Sequence, residues 1–247
     1  MHLAAKQRLL AGEPGPLFLA DWDRAAFLHF AVPPAELQSH TPFPLDLWQG
    51  EAVVTLVAFT MRRMRFAGCE RWSERLLWPF REQRFLNLRT YVRVKDEPGI
   101  TFLAEWISSA TQALVGPAVY GLPYRWGAHD LEHDGDGSWS GCIRERGRTG
   151  AYSYQVAPSS TGEEKTAVIG SFAEFALERH TCFLRGARRH RRFRIWHEPW
   201  RQQEAVPRII DDSLVHEALP WWTEAKLVGA QRSSVARDVW MGRPFRL

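Results

Sequence analysis

The run Phe85–Val94 constrains the fold of this chain more than any other stretch. Its residues alternate between an apolar and a polar set, Leu86, Leu88, Thr90, Val92 and Val94 against Asn87, Arg89, Tyr91 and Arg93. A period of two residues is typical of a β-strand. The polar face of such a strand either meets water or lines a ligand cavity, where fixed donors hold a carboxylate or a carbonyl group. Both interpretations are open from the residues alone.

The composition indicates a globular protein with a large core. The chain has 247 residues, of which 45% are hydrophobic and 24% charged, and it contains 12 Trp and 14 Phe. This composition excludes the disordered class and favours an aromatic-rich core. We find no internal repeat, low-complexity segment or linker. We therefore predict an N-terminal arm or short helix over residues 1–16, with the helix at 3–11, and one domain over residues 17–247.

Positive charge is carried almost entirely by arginine. The net charge is +4, and the chain has 28 Arg but only four Lys, at positions 6, 95, 165 and 226. The densest stretch is Arg185–Arg194, which is either a site for an anionic partner or a solvated connection between a helix and a strand. Without a recognised binding motif, this mild excess does not favour nucleic acid as a partner.

Cysteine usage and hydropathy favour a reducing compartment. Cys69, Cys142 and Cys182 are few, odd in number and far apart, so they indicate neither a disulfide framework nor a metal knuckle. The chain has no signal-like N-terminus and no apolar run of membrane-spanning length. We expect a cytoplasmic protein without a membrane segment.

No metal or cofactor site is expected. Asp130–Gly135 resembles the start of a calcium loop, but Gly141 stands where a bidentate Glu is needed. His129 and His133 are four residues apart, yet the neighbouring glycines do not favour a helix that would place them together. We interpret residues 134–137 as the tip of a hairpin.

Strand signals dominate the coarse secondary structure. Ala25–Val32 is predicted to be a buried strand ended by two prolines, and Ala52–Thr60 a central strand covered on both faces. Pro98 and Gly99 suit a type II turn that joins the strand at Phe85–Val94 to a return strand at Thr101–Ile107. Further strands are predicted at residues 138–144, 151–156, 193–200, 205–210 and 225–231.

Glu105 is the notable residue of the return strand. Alternation places it on the same face as Leu103 and Ile107. It is either an edge residue facing water or a buried acid with a cationic partner, for which Arg89 across the hairpin is suitable.

Capping boxes predict two helices. Ser109 with Gln112 starts a helix over about residues 110–120, and Ser171 with Glu174 starts one over about 172–184. A shorter helix is predicted near residues 212–219. His180 and His197 lie beside carboxylates and could serve acid/base chemistry or be hydrogen-bonded structural residues, and the sequence leaves both roles open.

The chain resembles the DUF2071 family of YqjF-like uncharacterised proteins. The segments that carry the resemblance are His29–Pro34, Gly50–Phe59, Asn87–Val92, Pro98–Phe102, Leu122–Tyr124, Glu178–His180 and His197–Trp200. The resemblance implies an acetoacetate-decarboxylase-like fold. That fold is mainly β (α+β), a single closed, mostly antiparallel β-barrel with a central cavity and a few peripheral helices.

The resemblance does not imply the decarboxylase mechanism. The decarboxylase relatives form a Schiff base through a cavity lysine, with a second lysine beside it, in a Gly-x-Pro-Lys-Lys pattern. Here the corresponding residues are Gly121–Arg125, with Tyr124 and Arg125 in place of the two lysines. We therefore do not expect decarboxylation through an imine.

We hypothesise that the cavity binds a small organic acid or carbonyl compound and needs no cofactor. Arg89 would pair with the anionic group and Asn87 and Tyr91 would hydrogen-bond to the ligand, while Tyr124 and Arg125 would close the site and Glu105 would face it.

Two alternative functions remain. In the first, a lyase or hydrolase acts on a small keto or carboxylic acid in the same cavity, with Glu105 or Tyr91 as acid/base and Arg89 as an electrostatic clamp. A buried Glu105 with a raised pKa would favour it. In the second, Arg185–Arg194 binds an anion or nucleic acid. The sequence indicates no oligomeric state.

Overall fold

The computed structural model describes residues 6–7, 10–12, 15–159, 162–186 and 189–247, without the side chains at 70, 71 and 79. The strands are β1 (Phe18–Val32), β2 (Ala52–Phe66), β3 (Glu82–Val94), β4 (Glu97–Ile107), β5 (Tyr124–His133), β6 (Trp139–Glu145), β7 (Ala151–Pro158), β8 (Lys165–Thr166), β9 (Thr181–Leu184), β10 (Arg191–Trp196), β11 (Arg201–Asp211), β12 (Lys226–Met241) and β13 (Phe245–Arg246). The helices are α1 (Pro34–Gln38), α2 (Glu70–Leu76), α3 (Ala110–Val119), α4 (Phe172–Leu177) and α5 (Ser213–Ala218), with 3₁₀ turns at Trp78–Phe80 and Pro220–Glu224. The helix predicted at residues 3–11 lies mostly outside the described residues.

Nine strands form a closed ring. They follow the order β12, β1, β2, β3, β4, β5, β6, β7 and β11, and the pairing of β11 with β12 closes the circle. The neighbours in this ring are antiparallel except β4 and β5, which are parallel. The mainly β prediction is confirmed, and the sheet is mostly antiparallel. The one parallel pair in this ring arises because α3 carries the chain back before β5 starts.

A second ring shares part of this wall. The short strand β9 pairs with both β4 and β10, and β10 pairs with β12. The strands β10, β12, β1, β2, β3, β4 and β9 therefore close a second circle of seven strands. The strands β12 and β1 to β4 belong to both rings and form a shared wall between them. Each of these strands therefore has a core on either face.

Strand β3 contributes to both cores. Leu86 and Leu88 belong to the core of the nine-strand ring, whereas Phe85 and Tyr91 belong to the core of the seven-strand ring. Asn87 is 8% exposed on the second face. The polar face of β3 therefore lies inside the protein, and only its last member, Arg93, is exposed.

The turn of the β3–β4 hairpin lies earlier than predicted. Val94 pairs with Glu97, so Lys95 and Asp96 form a two-residue loop, with φ of 49° and 65° respectively. Two residues with positive φ are typical of a type I′ hairpin turn. The prediction of a type II turn at Pro98 and Gly99 is wrong, since both lie within β4. Gly99 is needed there because a Cβ would lie 2.5 Å from the carbonyl oxygen of Thr181 in β9.

A β-bulge changes the face of one β4 residue. Leu88 pairs with Ala104 but Arg89 pairs with Phe102, so Leu103 is the extra residue. Leu103 packs against the core of the nine-strand ring. The prediction that it shares a face with Glu105 is therefore wrong.

The two capping boxes are present, with different outcomes. Ser109 Oγ accepts a hydrogen bond from the amide of Gln112, and α3 covers the predicted residues. Ser171 Oγ likewise accepts from the amide of Glu174, but α4 ends at Leu177. The prediction of a helix to residue 184 is wrong because residues 181–184 pair as β9 with β10 and β4.

Among the described residues, no helix has the length and apolarity needed to span a membrane.

Candidate functional site

A cavity of about 300 Å³ lies on the seven-strand side of the shared wall. Helix α3 borders it with Gln112, Val115, Gly116 and Val119. Most of its lining is apolar: Phe18, Trp22, Phe59, Met61, Met64, Phe66, Leu77, Phe80, Phe85, Phe102, Val115, Val119, Leu122, Phe193, Ile195 and Met241. This size and character are typical of a site for a small organic molecule.

Three polar side chains lie side by side in the wall of this cavity. Asn87 of β3 pairs directly with Glu105 of β4, and Glu105 pairs with Tyr124 of β5. Residues opposite each other in neighbouring strands share a face of the sheet. All three line the cavity. The structure therefore brings together three of the six residues predicted to bind a ligand.

Several polar atoms of the lining residues have no partner. Asn87 Oδ1, Glu105 Oε2 and Trp22 Nε1 are buried and make no hydrogen bond within the described part of the chain. An unpaired buried polar group costs about 1–3 kcal/mol, and native proteins rarely keep one without a ligand or water to satisfy it. A molecule that hydrogen-bonds to these atoms would recover that free energy.

The surroundings of Glu105 favour its neutral form. Its side chain is fully enclosed, and burial raises the pKa of the carboxyl group well above its usual value. Of the two alternatives for Glu105, the buried acid holds, but the register places Phe102, and not Glu105, opposite Arg89, so Arg89 is not its cationic partner. A protonated carboxylic acid donates one O–H and still accepts through its other oxygen. Burial, and next the neighbouring Glu105, raise the pKa of Tyr124, which stays a neutral phenol.

Arg89 and Tyr91 lie elsewhere on the same strand face. Arg89 Nη2 and the Tyr91 hydroxyl both donate to the carbonyl oxygen of Ala176 at the end of α4, each at 3.0 Å. The Tyr91 hydroxyl is also 2.6 Å from Thr55 Oγ1. Neither residue is among the described residues that line the cavity. Their contacts attach α4 to the shared wall.

Arg125 is directed away from the cavity. Its Nη1 donates to Glu145 Oε2 at 3.2 Å, and its guanidinium lies over the ring of Trp106, a residue of the nine-strand core. Arg125 follows Tyr124 in β5, so the two side chains leave opposite faces of the sheet.

His29 extends the polar contacts around Tyr91. Its Nδ1 is 2.9 Å from Thr55 Oγ1, and its Nε2 contacts Gln231 Oε1. Burial lowers the pKa of His29 to about 3, so the imidazole is neutral at ordinary pH. Sequence reasoning missed this network, since nothing local marks Thr55 or Gln231 as its members.

His180 and His197 form a cluster with Glu178 beside the cavity. The ring centroids of the two histidines are 4.9 Å apart, and His180 Nε2 is 3.9 Å from Glu178 Oε2. Burial lowers the pKa of His180 to about 4 and that of His197 to about 3, whereas it raises the pKa of Glu178 to about 7. None of the three is among the described residues that line the cavity.

Sequence reasoning also missed Trp22, Gln112 and Tyr120 as cavity residues. Trp22 stands in an apolar strand and Gln112 served only as a capping partner, so no local pattern distinguished them. No lysine is among the described lining residues. No cluster of His, Cys, Asp and Glu suited to a metal ion occurs in the described ranges.

Comparisons with known sequences agree with the family resemblance. The model of the family DUF2071, described as "Uncharacterized conserved protein", matches residues 19–228. The uncharacterized protein YqjF of Bacillus subtilis (strain 168) is 25% identical over 196 residues, which is 76% of each chain.

Comparisons with solved structures show the fold. An acetoacetate decarboxylase-like enzyme from Sphingomonas wittichii RW1 has a TM-score of 0.69 at 14% identity, over 95% of this chain and 94% of that one. Acetoacetate decarboxylase from Legionella pneumophila gives 0.65 at 11% identity, over 95% and 88%. The enduracididine biosynthesis enzyme MppR complexed with pyruvate gives 0.64 at 12% identity, over 94% and 91%.

Proposed function

Because this chain belongs to the DUF2071 family, whose description names no activity, we propose a function from the cavity itself. The protein binds a small, largely apolar organic molecule that carries a carbonyl or hydroxyl group at one end. The apolar part of this molecule contacts the aromatic walls. Its polar group lies against Asn87 and Glu105.

The unpaired atoms of Asn87 and Glu105 carry this proposal. Both Asn87 Oδ1 and Glu105 Oε2 are buried in residues that line a largely apolar space. A neutral Glu105 donates its O–H to a ligand carbonyl, and Asn87 Oδ1 accepts from a ligand hydroxyl. A ligand of this kind satisfies groups that the protein leaves unsatisfied.

The charge of the cavity favours a carbonyl compound over an organic acid. None of its described lining residues is Arg or Lys, and Arg89 is bound to Ala176. An ionised carboxylate would lose its hydration there without gaining a cationic partner. The solved relatives include an enzyme complexed with pyruvate, but the guanidinium expected to hold such an acid lies outside this cavity.

An enzymatic function on the same cavity is the second candidate. The observation in its favour is the burial of Glu105, which raises the pKa of its carboxyl group and suits it to donate a proton inside an apolar cavity. A lyase or hydrolase would use Glu105 as the acid/base group. Tyr91 and Arg89 have no part in it, and no imine step is included because the lining offers no lysine among the described residues.

A ligand screen by thermal shift tests the proposal. Purified protein is heated with neutral ketones, aldehydes, alcohols and esters, and with carboxylates of matched size. Binding at a hundredfold excess over Kd stabilises the native state by about 2.7 kcal/mol. We expect the neutral compounds to raise the Tm and the carboxylates not to.

Two variants locate the site. Asn87→Leu removes a cavity amide, and Gln83→Leu removes a buried amide from the same strand whose Oε1 is also unpaired but which does not line the cavity. We expect only Asn87→Leu to abolish the shift. Equal shifts in both variants, or no shift with any neutral compound, would contradict the proposal.

Turnover separates the two candidates. Compounds that bind are incubated with the parent protein and with Glu105→Gln, which keeps a neutral hydrogen-bond donor but cannot transfer a proton. Product formed by the parent and lost in the variant, with binding retained, would establish acid/base catalysis. Binding without product by either protein would leave the binding function alone.

A further inference from the structure

A second, cationic space lies next to the cavity. A groove of about 680 Å³ is bordered by the end of α3, by β9 and β10, and by β13. Four arginines line it, Arg185, Arg189, Arg191 and Arg246, and no Asp or Glu is among the described lining residues. The groove therefore has the charge of a site for an anion.

Two of these arginines are placed against each other. Arg191 of β10 pairs directly with Arg246 of β13 in the antiparallel register. Like charges opposite each other destabilise a sheet. All four arginines are exposed, and none forms an ion pair with a carboxylate in the described part of the chain. An anion bound between Arg191 and Arg246 would relieve this repulsion.

The other two arginines, Arg185 and Arg189, lie in a loop whose backbone packs closely against itself. A Cβ at Gly186 would overlap the carbonyl oxygen of Arg189, so the backbone there requires glycine. Arg185 and Arg189 consequently border the same groove.

Tyr120 belongs to both spaces. Gly116 and Val119 of α3 face the apolar cavity, Pro117 and Ala118 face the groove, and Tyr120 lines both. Its hydroxyl donates to the carbonyl oxygen of Gly242 at 3.1 Å, which holds the ring between the two spaces. The apolar cavity and the cationic groove are thus neighbours across one side chain.

We propose that the groove binds a phosphate group and that the molecule in the cavity carries this group. The apolar, carbonyl-bearing part enters the cavity past Tyr120, and the phosphate stays among the arginines. Guanidinium groups match phosphate oxygens with paired hydrogen bonds, and a phosphate monoester carries close to two negative charges, more than a single carboxylate offers to four arginines. The part of the inference that concerns the cavity rests on the proposed function above.

Titration calorimetry with butyl phosphate and hexyl phosphate, at constant ionic strength, tests the groove. The variant Arg191→Gln/Arg246→Gln removes two groove charges, and the control Arg144→Gln/Arg208→Gln removes two exposed charges elsewhere. We expect the groove variant to weaken binding by about tenfold or more and the control to change it little. Equal weakening in both variants would show nonspecific attraction and overturn the proposal.

A stability measurement guards against misfolding. Since Arg246→Gln removes one member of the like-charged pair, its Tm without phosphate is expected to equal or exceed that of the parent. Phosphate should raise the Tm of the parent more than that of Arg246→Gln. A Tm of Arg246→Gln well below the parent's in phosphate-free buffer would contradict the repulsion argument.

Chain length tests the link between the two spaces. Each methylene group that enters the cavity should tighten binding about fourfold. Equal affinities for butyl and hexyl phosphate would overturn the shared ligand. Neutral ketones that bind in an Asn87-dependent manner, together with no binding of alkyl phosphates, would overturn this inference and leave the proposed function standing.

A separate experiment identifies whether the phosphate belongs to a soluble metabolite or to a lipid. Vesicles containing phosphatidic acid are compared with soluble alkyl phosphates, using the same variants. Arginine-dependent binding of the soluble compounds supports a free metabolite, and arginine-dependent binding to vesicles alone supports a lipid headgroup. Binding to neither would overturn the proposal.

Discussion

Two glutamates, Glu105 buried and Glu178 half-buried, show how position decides the chemistry of one residue type. Glu105 faces the cavity with an unpaired oxygen, whereas Glu178 accepts a hydrogen bond from the amide of Trp200 at 2.8 Å. Burial raises the pKa of both carboxyl groups. Only Glu105 has an atom free for a ligand, so Glu105 is a site residue and Glu178 is a source of pH-dependent stability.

Replacing Glu178 should change how stability depends on pH. Its pKa is raised from 4.5 to about 7, so the folded state binds more protons than the unfolded state between these values. Stability from this group is present below about pH 4.5 and is lost as the pH rises to about 7. Glu178→Gln should keep the contact with Trp200 and gain up to about 3 kcal/mol over the parent between pH 4.5 and 8.

Urea unfolding at several pH values measures this gain. The groups that face Glu178 include His180, whose lowered pKa makes stability fall at acid pH in both proteins, so the difference between parent and variant isolates the glutamate. A difference that stays constant from pH 4.5 to 8 would contradict the expected titration.

At the scale of the element, the two-residue loop of the β3–β4 hairpin contains residues that type I′ turns do not favour. Lys95 and Asp96 both adopt positive φ, which costs free energy for residues with a Cβ. Lys95→Asn with Asp96→Gly introduces the pair that type I′ turns prefer, and should stabilise the protein by about 1 kcal/mol.

Chemical denaturation measures this change. The backbone carbonyl of Asp96, which accepts from Arg93 Nη1, is retained in the variant. The control introduces the same two residues in the exposed strand β8, Lys165→Asn with Thr166→Gly, where neither φ is positive. A gain of equal size in the control would point away from the turn.

Helix α3 packs against Tyr124 through a glycine. A Cβ at Gly116 would overlap the Tyr124 ring. Gly116→Ala should therefore destabilise the protein, although alanine favours a helix over glycine by about 1 kcal/mol. The Tyr124 ring must shift, and binding of any ligand found for the cavity should weaken.

Gly229→Ala is the matched control, because nothing lies within 4 Å of a Cβ built there. Urea unfolding and ligand titration of both variants give the comparison. A stabilised Gly116→Ala protein with unchanged affinity would show that the Tyr124 ring yields without cost.

At the scale of the molecule, the seven-strand ring is closed by a very short backbone pairing. Strand β9 meets β4 at one residue pair, Ile100 with Cys182. Glu97 of β4 reinforces this junction, because it accepts hydrogen bonds from Thr181 of β9 and Arg194 of β10. One carboxylate therefore links β4 to the wall of β9 and β10 that lies opposite the shared sheet.

Glu97→Ala should loosen this wall selectively. We expect a loss of about 2 kcal/mol and faster amide hydrogen exchange in β9 and β10 than in β6 and β7, which belong only to the nine-strand ring. Glu132→Ala, at an exposed position of β5, is the control. Uniformly faster exchange throughout the Glu97→Ala protein would contradict a local role.

The sequence by itself determined the local structure. Two-residue alternation predicted β3, capping boxes predicted the starts of α3 and α4, and apolar runs predicted the buried strands β1 and β2, because these signals depend on neighbouring residues. The family resemblance added the fold. Three of the four polar residues predicted on β3, Asn87, Arg89 and Tyr91, are buried, but only Asn87 lines the cavity.

Only the tertiary structure decided which polar residues meet the cavity. The bulge at Leu103 and the register of β3 with β4 placed Glu105 beside Asn87, while the end of α4 bound Arg89 and Tyr91. The pairing of Arg191 with Arg246 joins residues far apart in the chain. Register, bulges and long-range pairing depend on how whole strands pack, and no local pattern of residues contains that information.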